Sequence, residues 1–218
     1  MLPSTHFAEN LKNLFAQQNV GRAMKNSLVN SLLQTFLALL VSSVAGYGFE
    51  VYHDKGKDAV MRILMLAMMV PFVSVLVPLF QLFSNLKLLN TVVGFVLPGI
   101  STPFLITFFR NSARSFPHDI IEAARIDGAT FMQKVTRIVF PLVKPTTLFL
   151  LVTGVIGSFQ VFMNAYMMTG GGPDNSTTMI GLLIYNNAFV YGKYGLACAQ
   201  AILLAITIAI MSLFQFRL

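Results

Sequence analysis

The sequence predicts an all-α protein, a polytopic membrane helix bundle with about five spans, and three observations carry that prediction. Hydrophobic residues occupy 56% of the 218 positions and charged residues only 11%, against roughly a quarter charged in soluble domains; mean hydropathy is +0.72. Apolar runs of about twenty residues recur, long enough to cross the hydrocarbon core of a bilayer. The charges are gathered rather than spread, with the densest group in a polar island at residues 116–145.

Residues 1–26 read as an amphipathic segment, with Phe7, Leu11, Leu14 and Phe15 at near-helical spacing. Such a segment either lies on the membrane surface or contacts a partner. The first span is expected at 27–49, ending in Ala45, Gly46, Tyr47 and Gly48, whose small members permit close helix packing. A basic loop at 52–62 carries Lys55, Lys57 and Arg62. The second span, 63–83, contains Pro71 and Pro78, which free backbone carbonyls and introduce kinks. After a short loop at 84–90, the third span (91–109) is broken by Leu97-Pro98-Gly99 and by Pro103. Interrupted helices of this kind survive at membrane depth where protein or water covers the irregular backbone.

The island follows. Pro117 suits the first turn of a helix, where its missing N–H costs nothing. Residues 118–126 form a short helix with Ile120, Ile121, Ala124 and Ile126 towards one side. Asp127-Gly128 is a turn dipeptide, because Gly takes positive φ without a Cβ clash. Thr130 is placed to cap a second helix over 131–139, and Pro141 and Pro145 mark the start of the next apolar run. The expected product is a helix–turn–helix elbow. A fourth span over 146–168 then ends in a turn cluster at 169–178, rich in Gly, Pro, Asn, Ser and Thr. No Gly-Lys-Ser/Thr follows and no strand precedes it, so it is not a phosphate loop. A short helix outside the membrane is expected at 179–190 and the last span at 196–214.

Glu122-Ala123-Ala124, then two residues, Asp127-Gly128-Ala129, with Ile138, Pro141 and Pro145 beyond, resembles the EAA loop of the permease subunits of binding-protein-dependent ABC importers. This version is similar to the maltose/glycerol-phosphate-type carbohydrate branch. Residues 22–145 resemble the second permease subunit of those importers, whereas 157–173 are more similar to the first, so either partner position stays open. The resemblance implies a coupling loop over 110–145 within a transmembrane domain spanning 27–218. There, Glu122, Ala123, Ala124, Asp127, Gly128, Ala129 and Pro141 engage ATPase subunits, Asp127 fixing the turn that Gly128 lets fold. It also implies a second permease subunit (hetero- or homodimer), an extracytoplasmic solute-binding protein and a sugar or related solute. ATP and magnesium are then bound by the partner ATPases, with no cofactor in this subunit. Relatives of this type carry an earlier span. Its absence here is expected to reflect either a fragment or a shorter start.

Charge placement orients the chain. Ten Lys and Arg residues fall in 52–62, 110–145 and the tail, and five in the remaining loops and the N-terminal segment. The positive-inside rule therefore puts the island in the cytoplasm and residues 1–26 on the other side of a bacterial or archaeal cytoplasmic membrane. The formal charge of +7 follows from the same rule and calls for no nucleic acid, with membrane lipid as the surrounding partner. His6, His53 and His118 are scattered without metal-ligand spacing, and the lone Cys198 allows no disulfide framework. No catalytic set occurs within the spans. An ion-gradient-driven secondary transporter or channel is the alternative reading, but it needs ionisable residues inside the spans, and only Glu50, at a boundary, comes near. For solute contacts, Phe159 offers a ring to stack on a sugar, and Gln160, Asn164 and Tyr166 offer hydrogen bonds. The same polar groups serve equally to bond helix to helix.

Overall fold

The computed structural model describes residues 6–51, 54–116 and 118–215, with the side chains of His118, Asp119 and Arg125 excepted. Every regular element among them is helical: α1 His6–Gln17, α2 Val20–Val51, α3 Lys55–Ala67, α4 Phe72–Asn85, α5 Val92–Ile100, α6 Pro103–Arg114, α7 His118–Ile126, α8 Phe131–Lys134, α9 Phe140–Phe159, α10 Ile180–Tyr185 and α11 Tyr194–Gln215. Single π-helical turns occupy Val135–Val139, Ala165–Thr169 and Asn186–Val190. Pro117 and His53, used in the sequence analysis, and the basic tail residue Arg217 lie outside the described residues.

Among the described residues, three helical stretches are long and apolar enough to cross a membrane, and up to five are if α3 with α4 and α5 with α6 each form one broken span. The expected count of about five survives, but several boundaries move. The second span is not one kinked helix. Asp54 starts α3 by accepting the backbone N–H of Lys57 (2.8 Å), a contact that holds its carboxyl below the usual carboxylate range, so helix begins inside the expected loop. The chain then breaks before Pro71, and Pro78 sits inside α4. The third span breaks at Ser101-Thr102, with Thr102 capping α6 and Pro103 at its first turn, rather than at Pro98, which lies inside α5. The second elbow helix does not end at Val139: α8, the π turn and α9 run on without interruption to Phe159. Pro141 and Pro145 are consequently inside helix, and the fourth span ends near Phe159 instead of residue 168.

The chain divides into two compact units. The first comprises 1–35, 72–99 and 152–218. Its core joins Leu14 of α1, Val20 and Ala23 of α2, Ile180 of α10 and Leu196 and Ala199 of α11, with Leu11 packed alongside. The amphipathic N-terminal segment is thus docked on α11 through Leu11 and Leu14, while Phe7 and Phe15 stay exposed. Gln18, Asn187 and Gln200 close a ring of side-chain hydrogen bonds over this core, at 2.8 to 3.1 Å. A separate apolar cluster gathers Leu76 and Phe83 of α4 with Met168.

The second unit comprises 36–71 and 100–151. Leu39, Phe109 and Leu150 form its core. A Cβ on Gly46 would stand 2.6 Å from the Phe109 Cβ and 2.8 Å from the Arg110 backbone N, so α2 and α6 touch only because that position is Gly. Gly48 has no such neighbour. Arg110 donates to Glu50 (3.1 Å) and Asp58 (3.3 Å), tying α6 to α2 and α3. Glu50, which the sequence placed at a boundary, is therefore buried and paired.

Candidate coupling elbow and solute-facing residues

The elbow is built almost wholly from short-range rules. Helix α7 covers His118–Ile126, as its spacing predicts. It ends where Gly128 takes φ +76°, a left-handed conformation that favours glycine. The Ala129 N–H then reaches back to the Ala124 C=O (2.9 Å) and the Asp127 N–H to the Ala123 C=O (2.9 Å). The first of these is the six-to-one bond of a Schellman C-cap. Asp127 thus serves the turn through its backbone, and its side chain is exposed. Thr130 starts α8 with a reciprocal capping box: its Oγ1 accepts the Gln133 N–H (3.3 Å) and its own N–H donates to the Gln133 Oε1 (2.8 Å). The sequence reading found the Thr but missed Gln133, three residues on, which was the signal for the full box.

Glu122, Ala123, Asp127, Gly128 and Pro141 are exposed, and Ala124 and Ala129 half-buried. Large apolar side chains share that exposure: Ile126 at 81%, Phe131 at 68% and Met132 at 64%. Apolar groups in a polar, charged loop that no part of the described chain covers form a surface suited to docking. Within the same unit lies a hollow of about 330 Å³, lined by Val44, Tyr47, Phe109, Met132, Val135 and Phe140 among others. The π turn at Val135–Val139 carries the elbow straight into α9.

The four residues proposed for solute contact differ in exposure. Phe159 is fully buried and has no free face for a sugar ring. Asn164 is also buried, whereas Gln160 and Tyr166 are exposed. Gln160 sits at the end of α9, where its N–H reaches the carbonyls of Ile156 and Gly157. Tyr166 belongs to an aromatic group that the sequence reading missed. Its ring stands 5.3 Å from Phe162 and 5.1 Å from Tyr185, and Tyr185 lies 5.4 Å from Phe189. The i, i+4 spacing of Phe162 with Tyr166 and of Tyr185 with Phe189 was the available signal. A buried polar stripe on α2 was missed too. Ser27, Asn30, Ser31, Gln34 and Thr35 recur every three or four residues, all at most 6% exposed, and Thr35 bonds Ser158 (3.2 Å). A polar repeat inside an apolar run marks the face turned inward.

Residues 22–218 match the family described as binding-protein-dependent transport system inner membrane component. The chain is 38% identical over 142 residues to the lactose transport system permease protein LacG of Rhizobium radiobacter, covering 65% of this chain and 52% of that protein. It is 30% identical over 214 residues to the arabinooligosaccharides transport system permease protein AraQ of Halalkalibacterium halodurans, covering 97% of this chain and 76% of that one. The chain thus spans about half the length of the lactose relative. Among solved structures, a bacterial ABC transporter involved in the import of the acidic polysaccharide alginate shares the fold at TM-score 0.76 and 22% identity, over 96% of this chain and 82% of that one. The MetNI methionine ABC transporter does so at TM-score 0.64 and 19% identity, over 90% and 92%. With the family matched along nearly its whole length, the chain belongs to the inner membrane components of binding-protein-dependent transport systems.

Proposed function

We propose that the chain is a transmembrane permease subunit of an ATP-driven importer. It translocates a sugar or related solute that an extracytoplasmic binding protein delivers. One observation carries the reading: a self-capped helix–turn–helix with an exposed apolar and acidic surface continues without a break into the membrane helix α9. A rigid lever of that kind passes a displacement at its tip to a span, as coupling between two discrete arrangements requires. The neighbouring hollow leaves α8 room to shift. The ATPase subunits bind ATP and magnesium, and Glu122 with the turn at Asp127-Gly128 sets their register on the elbow. The relatives named for lactose and for arabinooligosaccharides support a carbohydrate solute. The exposed Tyr166 and Gln160 are the members of the proposed pathway free to meet it.

Glu122→Lys tests the reading, because it reverses one exposed charge on α7 and leaves α6 and α9 on either side of the elbow unaltered. The variant is expected to insert at the normal level, to lose ATPase subunits on purification and to recover them with an opposite-charge change on the ATPase. ATP-dependent uptake that continues at the parental rate would overturn the coupling role. Uptake that follows an ion gradient without ATP would instead favour a secondary transporter.

A further inference from the structure

The geometry points to a site for a phosphate-bearing ligand in the second unit, and to an anionic phospholipid headgroup as its occupant. A hollow of about 460 Å³ is walled by Lys55, Asp58, Met61, Arg62, Met65 and Arg110. Arg110 is four-fifths buried, and two of its nitrogens are committed to Glu50 and Asp58, so it is a fixed wall charge and not a free arm. Lys55 and Arg62 have no ion-pair partner among the described residues. Three cations against the two carboxylates leave one positive charge uncompensated. That matches the single negative charge of a phosphodiester better than the higher charge of free phosphate. Arg supplies a planar donor fork for such a group and Lys a mobile point charge.

The surroundings favour a lipid over a soluble oxyanion. Residue 51 ends the long apolar α2 and Lys55 begins α3, so the hollow sits where apolar chain gives way to charge. Beyond Arg62 the same helix turns out Ile63 and Leu66, each 64% exposed, and Met69, in the break that follows it, is 78% exposed. A headgroup held by Lys55 and Arg62 would lay its acyl chains along that run. The positive-inside argument puts this end of the helices on the cytoplasmic side, where basic pockets between membrane helices meet anionic lipid.

The test needs no transport assay and so stands apart from the importer reading. The assembled transporter, purified in detergent and stripped of lipid, is titrated with phosphatidylglycerol or with phosphatidylcholine, and bound lipid is counted by native mass spectrometry. The parent protein is expected to retain phosphatidylglycerol selectively. Lys55→Gln with Arg62→Gln should weaken that binding roughly thirtyfold, at about fivefold per cation removed, and leave phosphatidylcholine unchanged. Lys55→Arg with Arg62→Lys, which keeps both charges, should bind as the parent does. Equal retention of the two lipids by the parent, which needs no variant, would overturn the site. So would unchanged phosphatidylglycerol binding by the double Gln protein. Displacement of phosphatidylglycerol by millimolar inorganic phosphate, with phosphate itself retained, would overturn the lipid assignment in favour of a soluble oxyanion.

Discussion

Two glycine-bearing turns in this molecule differ in how far their bonds reach. The elbow at 118–139 makes its bonds within itself. The Schellman bond, the capping box and the Thr136 hydroxyl to the Met132 carbonyl all join residues no more than five apart. The loop at 169–178, with Ile180 just beyond it, is strapped to the start of α2, from residues 146 to 153 positions away. Arg22 reaches the Asp174 carbonyl, Asn26 the carbonyls of Asn175 and Thr178, Asn30 the Ser176 carbonyl, and the Ser27 hydroxyl the Ile180 N–H. One turn is a self-contained module with its surface left free. The other has local bonds too, among them the Thr177 N–H to the Gly171 carbonyl (3.2 Å), but it is also fastened to a helix far away in sequence. A self-contained turn suits a part that must move as a body, and a strapped one suits a part that must stay still.

Substituting the two glycines separates these designs most sharply. Gly171 has φ +97°, and a Cβ there would lie 2.6 Å from the Thr178 Oγ1, an atom that also bonds the Gly171 carbonyl. Gly171→Val therefore combines backbone strain of about 1–3 kcal/mol with overpacking of about 1–3 kcal/mol. The strap should come undone. The expected outcome is a large fall in the thermal midpoint of the solubilised protein and a reduced membrane level. A midpoint equal to the parent's would show that the loop is not held as described.

Gly128→Val carries the strain alone. Its φ is +76°, and a Cβ there would meet nothing within 4 Å, so the cost is of order 1–3 kcal/mol and confined to the elbow. Insertion and thermal midpoint should stay near the parent's, while ATPase binding or uptake is lost. Asn, which tolerates left-handed backbone, should restore much of the activity at this position. Normal uptake with a normally bound ATPase would sink the coupling role of the turn.

The same contrast explains what the sequence made legible. In the elbow, the bounds of α7, the glycine turn and the Thr130 cap could be read directly, because each follows from chemistry within a few residues. The strap could be read only as a turn cluster, since nothing local announces that Asn26 and Asn30 will reach it. Helix breaks fell between. Proline marks the chance of an interruption, yet Pro78, Pro98, Pro141 and Pro145 all lie inside helix, as membrane helices tolerate when neighbouring groups satisfy the freed backbone. Phe159 and Tyr166 looked alike as aromatic residues of one apolar run. That the first is buried and the second exposed depends on a helix end near Phe159 that no residue there signals.

Thr130→Ala probes the elbow more gently. It removes the cap for α8 and strands the partner Gln133, at a cost of about 1 kcal/mol for an exposed N-cap. The α8 start should fray without disturbing the turn at Gly128, so coupling should weaken by a few-fold and not vanish. Amide exchange should quicken at residues 131–134 only. Protection unchanged there would mean that packing, not the capping box, holds the start of α8.

The smallest effect is expected at Asp174, on the strap's outer edge. Its carboxylate pairs with Arg22 at 3.2 Å, but the two side chains are 92% and 44% exposed, and an ion pair so placed contributes at most about 1 kcal/mol. Arg22 also bonds the Asp174 backbone carbonyl, which survives any change of side chain. Asn accepts the left-handed backbone that Asp174 adopts at φ +45°. Asp174→Asn should therefore leave both thermal midpoint and uptake unchanged, and a clear drop in either would show the side chain to be part of a contact outside this chain. The same exposed position reports topology. With the exposed Cys198 first replaced by Ser, Asp174→Cys should react with a membrane-impermeant thiol reagent added outside the cell and crosslink to a bound solute-binding protein. Labelling only by a reagent confined to the cytoplasm would invert the orientation, and with it the assignment of the elbow to the ATPase side.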